Sequence, residues 1–164
     1  MTIKMFFTIG GGLGLFLFGL QFMADGLQKA AGDRLRKLLE IITDIPAVGV
    51  LVGTAVTILI QSSSASTVMV IGFVNAGIMN LTQAISIILG ANIGTTITAQ
   101  MVSLKLTDLA LPAIFIGFLL TIVGKTKFIK QLGQIMLGFG ILFLGMGVMG
   151  DGIKPLRTNP IFKQ

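Results

Sequence analysis

The feature that most constrains this chain is a long stretch without charge. Between Ile45 and Leu104 the sequence contains no Asp, Glu, Lys or Arg. A soluble domain needs a solvated polar face on most of its helices and strands, and this stretch cannot supply one. The whole chain is 54% hydrophobic and only 11% charged, with a mean hydropathy of +0.97. We therefore expect an all-α integral membrane protein.

The basic residues do not indicate nucleic acid binding, although the net charge is +6. They fall in short segments between apolar runs, which is where Lys and Arg lie beside membrane interfaces. The chain has no Cys and no His, so thiolate and imidazole metal sites and His-based acid–base catalysis are excluded. We expect no nucleic acid partner, no transition metal, no organic cofactor and no enzyme activity.

Apolar runs divide the chain into predicted membrane elements. The run Met5–Met23 is long enough to cross the hydrocarbon as a helix, which we interpret as retained and not as a cleaved signal peptide. An amphipathic helix in the membrane interface is predicted after it, over 25–42. Further membrane helices are predicted at three more apolar runs: 81–104, 109–123 and 132–149.

The charge-free stretch begins with two apolar arms separated by polar residues. As helices, Ala47–Ile60 and Ala65–Met79 would each be roughly 21–23 Å long at 1.5 Å per residue. Each arm is too short for a comfortable crossing and too long for an interfacial turn. A re-entrant helical hairpin is therefore predicted, which turns inside the membrane at Gln61–Ser64. In the run 81–104, the segment Gly90–Thr96 predicts a discontinuous helix.

The last apolar run repeats the first. Residues 14–27 align with residues 140–153 at a constant offset of 126, which matches glycines, a Met and an Asp-Gly pair. The alternative interpretation is two unrelated helices with small-residue packing faces. An odd number of predicted crossings separates the copies, so the second copy would start from the opposite side of the membrane. That arrangement is typical of inverted-repeat transporters.

We predict a single membrane domain over 1–164. Its main part is one unit of an inverted-repeat transporter. The predicted parts are a transporter repeat (1–130), a helix resembling the start of a second, inverted repeat (131–153) and a tail (154–164). A complete site would need a second hairpin from another chain or another half. Basic residues are spread almost evenly between the two predicted sides, which permits dual insertion and an antiparallel homodimer.

The polar turn supplies groups that bind ions without a formal charge. Ser62, Ser63 and Ser64 open the second arm, where Ser is a favoured N-cap. The unpaired N–H groups and the helix dipole there attract an anion. Gln61 closes the first arm, where free carbonyls and the amide oxygen suit Na⁺. The alternative for each hydroxyl is an ordinary hydrogen bond between membrane helices.

The second polar cluster follows in the predicted broken helix. Thr95 and Thr96 could cap its second half, and Asn92 supplies an amide. The alternative role for these three residues is to pair the backbone groups that a break in the helix would leave free. Because neither cluster contains Arg or Lys, a multiply charged anion would need cations bound beside it. Such mutual dependence is the physical basis of symport.

Four motifs carry a resemblance to a known family: GLQFMADGL (19–27), GDRLR (32–36), QSSSAST (61–67) and GANIGTT (90–96). With them the chain resembles the bacterial sodium–phosphate cotransporter family, which is related to the animal type II sodium-dependent phosphate cotransporters. The resemblance implies two inverted repeats, each with a Gln-Ser-Ser-Ser hairpin. It also implies phosphate and Na⁺ as partners, with Na⁺ as coupling ion, in a multi-pass protein of the cell inner (plasma) membrane.

Motif by motif, the resemblance implies two overlapping sets of site residues. The implied phosphate-binding residues are Ser62, Ser63, Ser64, Thr95 and Thr96. The implied sodium-binding residues are Gln61, Ser62, Ser63, Asn92 and Thr95. The expected function is sodium-coupled phosphate transport by an antiparallel homodimer, or by a half with a separate second repeat. Transport of another anion, and a non-transporting membrane subunit or fragment, remain as alternatives, and the direction of transport is open.

Overall fold

A computed structural model of the protein describes residues 2–32, 45–104 and 106–157, and the regular structure of these ranges is helical. Their α-helices are α1 (Thr2–Ala31), α2 (Pro46–Ile60), α3 (Ser63–Asn75), α4 (Leu81–Ser103), α5 (Ala110–Val123) and α6 (Lys127–Arg157), with a 3₁₀ turn (Thr107–Leu109) before α5. Of these, α1, α4 and α6 are long and apolar enough to cross a membrane. The expectation of an all-α membrane protein is confirmed at this level.

The boundary between α1 and the predicted interfacial helix differs from the sequence prediction. The structure continues α1 without a break to Ala31, so residues 25–31 extend the first apolar helix. Gly32 then adopts a left-handed conformation, with a φ of 43°. The rest of the predicted interfacial helix lies outside the described residues.

Backbone contacts divide the chain into two compact units. One unit comprises Met1–Gly26 and Lys105–Gln164, and the other comprises Leu27–Leu104. The first contains α1 as far as Gly26 together with α5 and α6. The second contains α2, α3 and α4, and therefore both polar clusters of the sequence.

In the first unit, α1 and α6 pack antiparallel along rows of glycines. The α1 row is Gly12, Gly19 and Gly26, and the α6 row is Gly138, Gly145 and Gly152. A methyl group on Gly19 would collide with the backbone nitrogen of Leu142 and lie 2.8 Å from the carbonyl oxygen of Gly138. Only residues without a side chain allow two helix backbones to approach this closely.

The packing of α1 on α6 repeats about a local two-fold axis. A methyl group on Gly12 would lie 2.7 Å from the amide nitrogen of Met149. On Gly138 it would lie 2.5 Å from the amide nitrogen of Met23. Gly138 is the counterpart of Gly12, and Met149 is the counterpart of Met23, at the same offset that aligns residues 14–27 with residues 140–153. The sequence similarity of the two helices thus extends to the way they contact each other.

A second glycine row on α6 receives α5. This row consists of Gly133 and Gly140, which face α5, and Gly147, which faces Thr107 of the 3₁₀ turn before α5. A methyl group on Gly140 would lie 2.6 Å from the carbonyl oxygen of Ala110, and one on Gly117 would lie 2.8 Å from the carbonyl oxygen of Gly133. The start of α5 lies beside Gly140 and its later part lies beside the earlier Gly133, so these helices are antiparallel too.

In the second unit, α2 and α4 run parallel and in close contact. Gly49 of α2 faces Ser86 of α4, and further along both helices Gly94 of α4 faces Thr57 of α2. α3 returns antiparallel along α2, so α2 and α3 form a helical hairpin, and its re-entrant placement in the membrane stays a prediction. The second arm ends at Asn75, earlier than predicted, and α4 begins after an Asn80 capping box with Gln83. Apolar residues pack between these helices: Val52, Val56, Val70, Met79, Ala84 and Ile87.

α4 is continuous, so the prediction of a discontinuous helix is wrong. The segment Gly90–Thr96 lies in its middle without an interruption. Its glycines serve the close approach to α2. The hydroxyls of Thr95 and Thr96 donate to the carbonyl oxygens of Ala91 and Ile93 at 3.2 and 2.7 Å. Such bonds to the preceding turn occur in an intact helix, and no freed backbone groups need polar neighbours.

We expect the substitution Gly19→Ala to destabilise the protein by about 1–3 kcal/mol, because the added methyl meets backbone atoms of α6 that cannot move aside. The matched control is Gly14→Ala on the same helix, where no atom lies within 4 Å of the added methyl. Alanine there should gain about 1 kcal/mol of helix propensity. Thermal unfolding in detergent micelles, followed by circular dichroism, would measure both. Equal shifts of the two variants would contradict the packing of α1 on α6.

Candidate functional site

The turn of the hairpin consists of Gln61 and Ser62. Gln61 adopts a left-handed conformation, with φ 59° and ψ 25°, and its N–H donates to the carbonyl oxygen of Thr57 at 2.7 Å. This is a common way to close a helix C-terminus, and the left-handed residue is usually Gly. Among the described residues other than Gly, only Gln61 has a positive φ.

Ser62 begins the second arm as the N-cap of α3. Its hydroxyl accepts a hydrogen bond from the amide of Ala65 at 3.2 Å. Ser63 and Ser64 occupy the first turn of α3, where the amides have no carbonyl partner within the helix. The positive end of the α3 dipole therefore points at the turn.

The carbonyl end of α2 is capped by two carboxamide side chains. Gln61 donates through its Nε2 to the carbonyl oxygen of Ile58 at 2.5 Å. Gln28, in the last turn of α1, donates through its Nε2 to the carbonyl oxygen of Ile60 at 3.0 Å. The sequence analysis did not identify Gln28, because nothing in the pattern connects it with a residue so far along the chain.

Two buried hydroxyl groups hold the arms together behind the turn. Thr57 Oγ1 of α2 donates to Ser66 Oγ of α3 at 3.0 Å, and Ser66 Oγ donates to the carbonyl oxygen of Ser62 at 3.0 Å. Thr57 and Ser66 are each only 1% exposed. This chain of hydrogen bonds fixes the position of Ser62 relative to α2.

The structure brings part of the predicted site together at the turn. Gln61, Ser62 and Ser63 are half-buried and Ser64 is exposed. Asn92, Thr95 and Thr96 are exposed on α4. Within the part of the chain that the structure describes, these three α4 residues form no hydrogen bond to the turn.

The residue of α4 that contacts the turn is Thr98. Gln61 Nε2 lies 3.4 Å from Thr98 Oγ1, and Thr98 Oγ1 donates to the carbonyl oxygen of Gly94 at 3.2 Å. Sequence reasoning missed Thr98. The signal that could have identified it is its helical spacing of four residues from Gly94, on the side of α4 that packs against α2.

The turn therefore places the carbonyl end of one helix beside the amide end of another. A cation is attracted to the first end and an anion to the second. No charged side chain lies between Ile45 and Leu104, so backbone groups, hydroxyls and carboxamides are the polar groups available in this segment.

Three apolar helices of membrane-spanning length make this a helical integral membrane protein. Residues 15–151 match the profile of the Na⁺/Pi-cotransporter family. The chain belongs to this family, and the resemblance seen in its motifs is confirmed. The family is one of transporters and not of enzymes.

Relatives with curated names cover most of this chain. An uncharacterized protein of Bacillus subtilis, YqeW, is 38% identical over 147 residues, which are 88% of this chain and 48% of YqeW. The putative inorganic phosphate export protein YjbB of Salmonella typhimurium is 31% identical over 87% of this chain and 26% of its own length. The sodium-dependent phosphate transport protein 2A of Rattus norvegicus is 39% identical over 57% of this chain and 15% of its own.

The chain therefore spans about half or less of the length of these relatives. No solved structure matches the chain.

We expect Ser66→Ala to lower the free energy of unfolding by about 1–3 kcal/mol, because it leaves the buried hydroxyl of Thr57 without its acceptor. Ser64→Ala, two residues away in the same helix and exposed, is the control and should change stability little. Thermal unfolding of both variants in detergent gives the comparison. If Ser66→Ala were as stable as Ser64→Ala, the hydroxyl bridge would not hold the hairpin arms.

Proposed function

We propose that the protein takes part in sodium-coupled transport of inorganic phosphate across the cell inner membrane, with the hairpin turn as one half of the ion site. The observation that carries the proposal is the meeting of two helix ends of opposite polarity at Gln61 and Ser62, in a segment without charge. Membership of the Na⁺/Pi-cotransporter family and the names of the relatives support phosphate as the anion.

Phosphate is proposed to bind at the start of α3. The amides of Ser63 and Ser64 and the hydroxyls of Ser62, Ser63 and Ser64 are donors of the kind that helix N-termini offer to phosphate oxygens. Thr95 and Thr96 are proposed to contribute hydroxyls from α4. Because both already donate within their own helix, they would rotate to reach a ligand.

Sodium is proposed to bind at the end of α2. The carboxamide groups of Gln61 and Gln28 now donate N–H groups to carbonyl oxygens there. A sodium ion would take the place of such a donor, and a half-turn of the Gln61 carboxamide would present its oxygen as a ligand. Ser62, Ser63, Asn92 and Thr95 are the further proposed oxygen ligands.

Coupling follows from the absence of charge in this segment. Phosphate carries more than one negative charge at neutral pH, and dipoles and hydroxyls alone compensate it poorly at mid-membrane depth. A sodium ion at the carbonyl end of α2 would lie close to an anion at the amide end of α3. Each ion then raises the affinity for the other by the same factor.

The second half of the site is proposed to come from an antiparallel second copy of the chain or from a separate second repeat. The local two-fold axis between α1 and α6 supports this proposal, because it relates two similar helices of opposite direction. The glycine row of α1 is already covered by α6 of the same chain. A second copy would therefore dock through other surfaces.

Reconstituted liposomes test the proposal directly. With sodium and phosphate varied independently, we expect phosphate flux that requires a sodium gradient and reverses when the gradient is reversed. The control is the same liposomes with the gradient collapsed by a sodium ionophore. Flux that ignores the gradient would remove sodium coupling. If a carboxylate inhibited the flux of labelled phosphate more strongly than unlabelled phosphate does, the transported anion would be another one. If no flux were seen even when the second copy or the second repeat is present, the chain would be a non-transporting subunit.

Substitutions of Gln61 separate its side chain from its backbone conformation. Gln61→Gly preserves the left-handed turn and removes the carboxamide. Gln61→Asn retains a carboxamide, and Asn also tolerates the left-handed conformation. We expect Gln61→Gly to raise the sodium concentration for half-maximal flux by about tenfold or more, since a lost contact with a charged group costs roughly 1.5–3 kcal/mol. Gln61→Asn should lie between it and the unmodified protein. An unchanged sodium dependence in Gln61→Gly would exclude the side chain as a ligand.

A further inference from the structure

One face of α1 is uncovered where the matching face of α6 carries a helix. On α6 this face is a row of residues at helical spacing, none of them exposed: Gly133, Leu137, Gly140, Leu144 and Gly147. When the offset of 126 is continued along both helices, their counterparts on α1 are all exposed: Phe7, Gly11, Gly14, Phe18 and Gln21. We call this α1 row the open face of α1.

The helix that covers the α6 face is α5, and its contacts show what such a face accepts. A methyl group on Gly140 would lie 2.6 Å from the carbonyl oxygen of Ala110. A methyl group on Gly117 of α5 would lie 2.5 Å from the amide nitrogen of Leu137. Close approach of the two backbones therefore requires small residues on the covering helix as well as on α6.

The local two-fold axis between α1 and α6 carries this arrangement onto the open face. Because the axis relates α6 to α1, a helix like α5 would lie on Gly14 as α5 itself lies on Gly140. Since α5 is antiparallel to α6, that helix would be antiparallel to α1. The open face also borders the interface with α6, because Gly11 is followed directly by Gly12 of the packed glycine row. A helix on the open face would thus continue an interface that is already present.

The open face contains groups that lipid chains alone serve poorly. No atom of the described residues lies within 4 Å of a methyl group placed on Gly11 or Gly14, so neither glycine is used for close approach. Gln21 is exposed, and its carboxamide has no hydrogen-bond partner among the described residues. Such a group is costly in hydrocarbon and is usually paired with a neighbouring helix. A closely packed helix would use the glycines and bring polar groups to Gln21.

A second copy of this chain is the less suitable source of that helix. The small residues of its α5 would already lie against its own α6, where Gly117 approaches the backbone of Leu137. To use them on the open face, α5 of the second copy would have to leave its α6. A second repeat supplies the same kind of helix without this cost. The match covers 48% of YqeW, so the rest of that relative is long enough for one.

We propose that the open face of α1 is the docking surface for an apolar membrane helix of a second repeat, which packs antiparallel to α1 through small residues as α5 packs on α6. The inference deepens the proposed function and rests on it only for the need of a second half. The surface is defined by helix packing and does not depend on which ions are transported.

A synthetic peptide with the sequence of residues 105–127 is the probe, because it contains the helix that covers the α6 face. Single cysteines in the peptide and in the full chain report where the peptide lies in liposomes and in which direction, since the chain has no Cys of its own. On α6, Gly147 faces Thr107 and Gly133 faces Thr121. The two-fold relation predicts that the counterparts on α1 face the same two peptide positions.

The matched cysteine pairs are therefore Gln21→Cys with Thr107→Cys in the peptide, and Phe7→Cys with Thr121→Cys in the peptide. The mismatched pairs exchange the two peptides and are the control, since the two peptide positions are about 21 Å apart along a helix. With a mild oxidant, and without sodium or phosphate, we expect matched pairs to cross-link at least about ten times faster, because a disulfide requires Cβ atoms about 4 Å apart.

Two substitutions test whether close approach at Gly14 is needed. Gly14→Met places a side chain where the counterpart Gly140 admits a backbone, so cross-linking of the matched pairs should fall by about tenfold or more. Gly10→Met is the matched control, because α6 has Met136 at the counterpart position, in an apolar groove beside α5. No atom of the described residues lies within 4 Å of a methyl group on either glycine, so both variants should fold normally.

The outcomes separate the docking surface from the proposed ions. Equal cross-linking of matched and mismatched pairs, no cross-linking at all, or equal effects of Gly14→Met and Gly10→Met would overturn the inference. Efficient disulfides between Gln21→Cys of two copies without the peptide would overturn it too, because a second copy would then occupy the face. Matched cross-linking without sodium-dependent phosphate flux would support the docking surface and count against the proposed ions.

Discussion

The hairpin turn depends on one constraint, which is that the backbone groups left unpaired at helix ends need partners. Two helix ends meet at Gln61 and Ser62, and each end leaves backbone groups without partners inside its own helix. The Gln61 amide and the carboxamides of Gln61 and Gln28 satisfy carbonyl groups of α2. The Ser62 hydroxyl satisfies an amide of α3. The groups left over, in the first turn of α3, are the ones that can serve a ligand.

Within each unit, glycine determines how the helices pack. In the first unit it permits antiparallel contact of α1 and of α5 with α6, and in the second it permits parallel contact of α2 with α4. The parallel contact is the one that matters for the site. It sets the height at which the turn meets α4, and thereby selects Thr98 as the neighbour of Gln61.

Much of the hairpin could be predicted from the sequence, because the lengths of the arms and the polar turn each constrain it independently. The continuity of α4 could not. Gly90, Gly94 and the two threonines are the same residues that would relieve a broken helix, and only the position of α2 shows that the glycines serve close approach. The contacts of Gln28 and Thr98 depend on helix register, which composition and periodicity leave undetermined. Buried Thr57 and Ser66 were missed because single hydroxyls in apolar helices are common.

The left-handed Gln61 has a consequence for attempts to improve the protein. Its backbone conformation costs free energy for any residue with a Cβ, and Gly would adopt it without that cost. A search that ranks substitutions by stability alone would therefore choose Gly at this position. The resulting variant would be more stable, but it would lack the Gln61 carboxamide, which contacts both α2 and α4. At this one residue, the choice that minimises backbone strain is therefore not the choice that provides side-chain contacts.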